Sequence, residues 1–146
     1  EEFDLSARIE RIVEYLNKRL PSLGKKVMLR NDIDSGIIII ANGSLLAWSI
    51  ENIIRNGIDA IDRDDGIVSI SLRKYDGDIK IRIQDNGRGI PKKDWKNIFR
   101  PGFSTKEAGW GLGLSLSSRI IEDIHGGQLK VYESNNDVGT TLEISL

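Results

Sequence analysis

Asn52, Asn56 and Asp59 stand four and three residues apart in the stretch from Ser49 to Ile61. Read as a helix at about 100° per residue, the three fall within about 60° of one another. Leu46, Ile50, Ile53, Ile54, Ile58 and Ile61 take the opposite side. Asn and Asp are poor helix formers, and a solvated helix face normally carries Lys, Glu and Arg instead. The stripe is a set of carboxamide and carboxylate oxygens suited to holding a ligand. Taken alone, it reads equally well as an exposed face.

Three further segments carry chemistry. Asp85-x-Gly87-x-Gly89-Ile90 sits where an alternating strand runs into a loop. A carboxylate fixed there can accept from an exocyclic amino group, and the glycines let backbone approach a flat or charged ligand. Gly109-Trp110-Gly111-Leu112-Gly113-Leu114 opens a helix whose backbone N–H groups suit phosphate, or else forms a glycine-rich hinge. Leu114 stands where a dinucleotide fingerprint needs its third glycine, and no P-loop pattern occurs. Before it, Phe99 to Lys106 offers a point charge in Lys106 and hydroxyls in Ser104 and Thr105. Gly139-Thr140-Thr141 enters the last strand, where Thr140 can reach a ligand through water or simply satisfy strand propensity.

These segments need a scaffold, and the chain has the means for one. At 146 residues it fits a single domain, 1–146, with a real core. A net charge of −1 argues against a nucleic-acid or acidic-membrane partner. No cysteine means no disulfide, no thiolate nucleophile and no Cys-based zinc site, and a single histidine excludes a multi-histidine cage. No apolar run approaches the roughly 18 residues of a membrane span, so a cytoplasmic chain without direct membrane contact is expected.

In chain order, Phe3 to Leu5 reads as a short strand or lead-in. A helix follows from Ser6 to Pro21, with Ile9, Ile12, Val13, Leu16 and Leu20 at helical spacing. Lys25 to Asn31 and Ile37 to Ile40 read as strands. Asn42-Gly43-Ser44 starts the helix of the Asn stripe, which extends to about Asp62. Val68 to Arg73 and Ile79 to Gln84 alternate and meet at the Asp76-Gly77 hairpin signal. The glycine-rich stretch from Gly87 to Gly111 has the length of a lid or binding loop, with a helical turn or two near Lys92 to Phe99. A helix is expected from Gly111 to His125, its apolar face made by Leu112, Leu116, Ile120 and Ile124. A final hairpin pairs Gln128–Ser134 with Thr140–Leu146. The expectation is a two-layer α/β sandwich with a mixed, mostly antiparallel sheet and three main helices on one face.

In this order the segments resemble the catalytic ATP-binding domain of a two-component sensor histidine kinase. That domain shares its fold with DNA gyrase, the mismatch-repair ATPases and the ninety-kilodalton heat-shock chaperone. The matching motifs are the asparagine box from Asn52 to Ala60, the first glycine box Asp85-x-Gly87-x-Gly89, and the phenylalanine box from Phe99 to Lys106. The second glycine box, Gly109 to Leu114, and the closing Gly139-Thr140 complete the set. The resemblance implies ATP and Mg²⁺ as cofactors. Asn56 would coordinate Mg²⁺ and Asn52 would assist at the metal and phosphates. Asp85 would take the adenine amino group with Thr140 and water, and Gly87, Gly89 and Ile90 would line the nucleotide cleft. Lys106, Gly109, Gly111, Leu112, Gly113 and Leu114 would hold the phosphates. It also implies a histidine-bearing dimerisation domain elsewhere in a homodimeric parent chain, absent here with the sensor region, and a response regulator downstream.

Two positions depart from the family pattern. Asp59 replaces the usual Lys or Arg and resembles the nitrogen-regulator-like subgroup, and Gly57 replaces the usual Ala. Gyrase-like members place a water-activating Glu where this chain has Asn52, and Glu51 is rotated by about 100° from that position. A kinase is therefore expected over a clamp ATPase, an anti-sigma-type serine kinase or a nucleotide-sensing module without activity. His125, at a helix end before Gly126-Gly127, is expected to cap or pack there rather than accept phosphate, so this chain alone should not label itself.

Overall fold

The computed structural model describes residues 1–103 and 113–146. The first strand, β1 (Glu2–Asp4), leads into helix α1 (Leu5–Arg19), whose N-terminus is capped by Asp4 accepting from the Ala7 N–H at 3.0 Å. Strands β2 (Val27–Ile33) and β3 (Ile38–Ile40) follow, then helix α2 (Gly43–Asp59), capped by Asn42 accepting from the Leu45 N–H at 3.2 Å. Strands β4 (Gly66–Tyr75) and β5 (Asp78–Asp85) form a hairpin through Asp76 and Gly77, both at positive φ as the two-residue turn requires. Two single 3₁₀ turns, Lys92–Asp94 and Asn97–Phe99, interrupt the loop as the sequence suggests. Helix α3 (Gly113–Arg119) continues into a π-helical turn, Ile120–Ile124, and the chain closes with β6 (Gln128–Asn135) and β7 (Gly139–Ser145).

The main sheet has the order β2-β4-β5-β7-β6, with β2 and β4 parallel and the other pairs antiparallel. The isoleucine run at 38–40 forms its own two-stranded ribbon with β1 and stays out of the main sheet. Alternation places Val68, Ile70, Leu72, Ile81, Ile83, Leu142 and Ile144 on the covered face. Against them α2 packs Leu46, Ile50, Ile53 and Ile54, each fully buried and each contributing about 1.5–3 kcal/mol of hydrophobic stabilisation. The other face stays polar. There Glu143, only 3% exposed, is neutralised by Arg82 at 2.9 Å and by the more distant Lys80 and Lys130.

Two expectations are corrected. Helix α2 ends at Asp59 with Ala60 as its cap, short of Asp62. Along α3 and its π turn the buried residues are Ser115, Ser117 and Ile121, whereas Leu116 and Ile124 are exposed. Ser117 and Ile121, four residues apart, share the inward face, and the wider π turn that starts at Ile120 carries Ile124 off it. Ser117 faces α2, where Asn52 Nδ2 donates to its hydroxyl. Leu112, also expected on that face, lies outside the described residues.

Candidate functional site

Strand register assembles the first wall. Val68 pairs with Asp85, Asp85 with Thr140, and Thr140 with Ser134, so one row across four strands ends in three polar residues. Asp85 is 8% exposed, and its Oδ1 accepts the Gly87 N–H at 2.9 Å. Burial pushes its carboxyl pKa above the ordinary value, and the backbone N–H groups of Gly87 and Thr140, with the Arg88 charge, oppose that shift only in part. A buried carboxylate with acceptor capacity to spare suits an amino-group donor.

Ser134, which the motif reading missed, is the hub beside it. Its hydroxyl accepts the Ile90 N–H at 2.8 Å, lies 2.7 Å from the Thr140 hydroxyl and 3.2 Å from the Gly139 carbonyl. The only sequence signal for it is the cross-strand register. Ile90 is fixed from its other side as well, where its carbonyl accepts from Trp95 Nε1 at 3.0 Å.

The glycines of this segment lie against backbone. A Cβ on Gly87 would lie 2.3 Å from the Ala60 carbonyl oxygen, and one on Gly89 would lie 2.2 Å from that of Asn135. Gly139, at φ 141°, would meet the Asp85 carbonyl at 2.0 Å. The segment is clamped between the end of α2 and the β6–β7 turn: the Arg88 N–H donates to Ala60 and its carbonyl accepts from Asp137. These glycines let backbone meet backbone, and so hold Asp85 in place.

The second wall is α2. Gly57 sits against the Asp85 side chain, its Cβ position 3.6 Å from Asp85 Cβ, so the turn of α2 that carries Asn56 runs beside the Asp85 strand end. Asn56 is half-buried, and no hydrogen bond to its carboxamide is found among the described residues. Mg²⁺ takes one or two protein oxygens and completes its octahedron with phosphates and water, and a carboxamide so placed fits that demand. Asn52 is committed elsewhere: its Nδ2 donates to the Ser117 hydroxyl of α3 at 3.2 Å, and its carboxamide lies against Gly113. Asp59 is exposed at the end of the stripe. Leu114 packs half-buried against the core. Lys106, Gly109, Gly111 and Leu112 lie outside the described residues.

Glu51 forms an i,i+4 ion pair with Arg55 at 3.0 Å, so it has a surface partner. His125 packs at its helix end as expected. Its Nε2 accepts the Asn42 N–H at 3.1 Å, which leaves the proton on Nδ1 to donate to the Ile120 carbonyl at 2.8 Å.

Known proteins resemble this chain in sequence and in fold. Sporulation kinase C of Bacillus subtilis (strain 168) is 38% identical over 111 residues, which cover 76% of this chain and 25% of that protein. Sporulation kinase B of the same organism is 31% identical over 150 residues, which cover 100% of this chain and 33% of that protein. The chain thus spans a quarter to a third of the length of these curated relatives. The catalytic domain of histidine kinase ThkA superposes with a TM-score of 0.87 at 24% identity, covering 100% of this chain and 93% of that one, which establishes the shared fold. The family model described as Histidine kinase-, DNA gyrase B-, and HSP90-like ATPase matches residues 42–146, which hold every motif named above. The chain belongs to this family of ATPases and kinases.

Proposed function

We propose that this chain is the catalytic domain of a sensor histidine kinase, which binds ATP with Mg²⁺ and donates the γ-phosphoryl group to a histidine on a separate dimerisation helix of its parent. The carrying observation is the buried Asp85 side chain packed against Gly57, the residue next to the half-buried Asn56 on α2. The reading takes Asp85 as the acceptor for the adenine amino group and the Asn56 carboxamide, on the adjoining turn of α2, as the Mg²⁺ ligand. Thr140, Ser134 and Ile90 support the adenine end, with Gly87 and Gly89 holding the segment in register. Asn56 would hold the metal, and Gly113 and Leu114 with Lys106, Gly109, Gly111 and Leu112 would complete the phosphate end. Mg²⁺ would neutralise charge on the phosphates.

In the transfer, a lone pair of the acceptor imidazole forms the N–P bond while the bond from γ-phosphorus to the bridging oxygen breaks. ADP leaves with that electron pair, and the imidazole proton passes to solvent. The chain's part is to bind, orient and exclude water. No general base is required of it, and among the described residues Asn52 donates to Ser117 and Glu51 is paired with Arg55. That favours transfer to a protein over a clamp ATPase. The parent would be a cytoplasmic-side homodimeric kinase that passes phosphate to a response regulator. Among the described residues no helix is long and apolar enough to cross a membrane.

The test is calorimetric titration with ATP, with and without Mg²⁺, alongside a turnover and a labelling assay. Binding with negligible phosphate release, no label on this chain, and label on an added histidine-bearing segment of the parent are expected. Sustained phosphate release would favour the hydrolase reading, and absence of binding would remove both.

A further inference from the structure

Ser117 is fully buried on the face of α3 that meets α2, and a buried hydroxyl needs a partner. Its partner is Asn52 Nδ2, at 3.2 Å. One turn earlier on the same face of α3, Gly113 has no side chain, and the Asn52 carboxamide fills that space. A Cβ there would lie 2.7 Å from Asn52 Nδ2, 3.0 Å from Oδ1 and 3.2 Å from Cγ. The carboxamide therefore rests on bare backbone and is tethered at its nitrogen. With Nδ2 engaged, Oδ1 is the atom left to Asn52 for another partner.

We infer that Ser117 is a positioning residue, which with Gly113 forms a receptor for the Asn52 carboxamide and so sets how α3 lies along α2 beside Asn56. The inference rests on the proposed reading of Asn56 as the metal end of an ATP cleft. It gives Asn52 a different task from that of a phosphate contact. The asparagine acts as a clasp between the helix bearing the metal carboxamide and the helix that follows the second glycine box. The two helices are held independently at their far ends, where His125 Nε2 accepts the Asn42 N–H. Loss of the Ser117 hydroxyl therefore loosens one end of the contact without undocking α3.

Ser117→Ala, Asn52→Ala and the double variant test this in a mutant cycle. The ligands are ATP with Mg²⁺ and, as the probe of the adenine end, adenosine alone. Ser117→Ala is expected to weaken Mg²⁺–ATP binding about 3- to 10-fold, the worth of one hydrogen bond, and to leave adenosine affinity unchanged. The double variant should bind like Asn52→Ala alone. In the ligand-free protein, the Asn52 side-chain amide protons should exchange slowly with water in the parent and quickly in Ser117→Ala. Additive effects in the double variant, equal losses for both ligands, or unchanged Asn52 exchange would each overturn the positioning role while ATP binding by the parent stands. A parent that binds neither ligand would overturn the ATP reading, and the inference with it.

Discussion

Asp85→Asn should move affinity and stability in opposite directions. The parent carboxylate is 8% exposed, and burial raises its pKa above the usual value of 3.8 despite the N–H groups of Gly87 and Thr140. A carboxyl that holds its proton more tightly in the native state destabilises the fold once ionised. Stability therefore falls as pH rises from the unfolded pKa through the native one, and the penalty is complete above that. The carboxamide carries no such penalty and keeps one oxygen for the Gly87 N–H. Its melting temperature should match the parent near about pH 3 and exceed it at neutral pH, with the gap opening across the window between the two pKa values. Affinity should go the other way. A hydrogen bond from the adenine amino group to a charged acceptor is worth about 1.5–3 kcal/mol, so ATP binding should weaken roughly 10- to 150-fold. Melting curves at several pH values and calorimetry read both effects. Unchanged ATP affinity would refute the adenine role of Asp85. A lower melting temperature at neutral pH, or a gap that does not widen with pH, would refute the burial argument.

Other substitutions probe the scaffold. At Gly57→Ala the new Cβ meets Asp85 and Val68 at ordinary contact distances of 3.6 Å and above, so removal of a helix glycine should raise stability by about 0.5–1 kcal/mol in denaturant titration. Gly139→Ala faces a carbonyl oxygen at 2.0 Å and a left-handed φ, and should cost about 3 kcal/mol or more, with ATP binding lost alongside because Asp85 is displaced. His125→Ala removes two hydrogen bonds, one of them at the start of α2, and should cost about 1–2 kcal/mol in the same titration. It should leave labelling of an added acceptor segment in place, since neither ring nitrogen is part of the cleft.

Much of the fold is legible locally, because period and punctuation act within a few residues. The alternation of Val68, Ile70 and Leu72, the Asp76-Gly77 turn and the isoleucine face of α2 all appear as expected. Local reading failed where a face is chosen by a distant partner. On α3, spacing favoured Leu116 and Ile124, but the contact with Asn52 selects Ser117, Ile121 follows on the same face, and the π turn takes Ile124 off it. The isoleucine run at 38–40 carries strand propensity, yet propensity does not say which strand it joins.

For the site the division is the same. The sequence by itself determined the donor inventory and its order: Asn52, Asn56 and Asp59 on one stripe, Asp85 at a strand end, and the glycines after it. Those follow from residue chemistry and helical or strand period, which need no long-range information. The tertiary structure decided what each does. Register brought Ser134 beside Thr140 in the row of Asp85, Gly87, Gly89 and Gly139 let backbone meet backbone, and helix packing set the Asn52 nitrogen on Ser117. Side-chain roles of this kind depend on contacts between residues tens of positions apart, and only the folded chain supplies them.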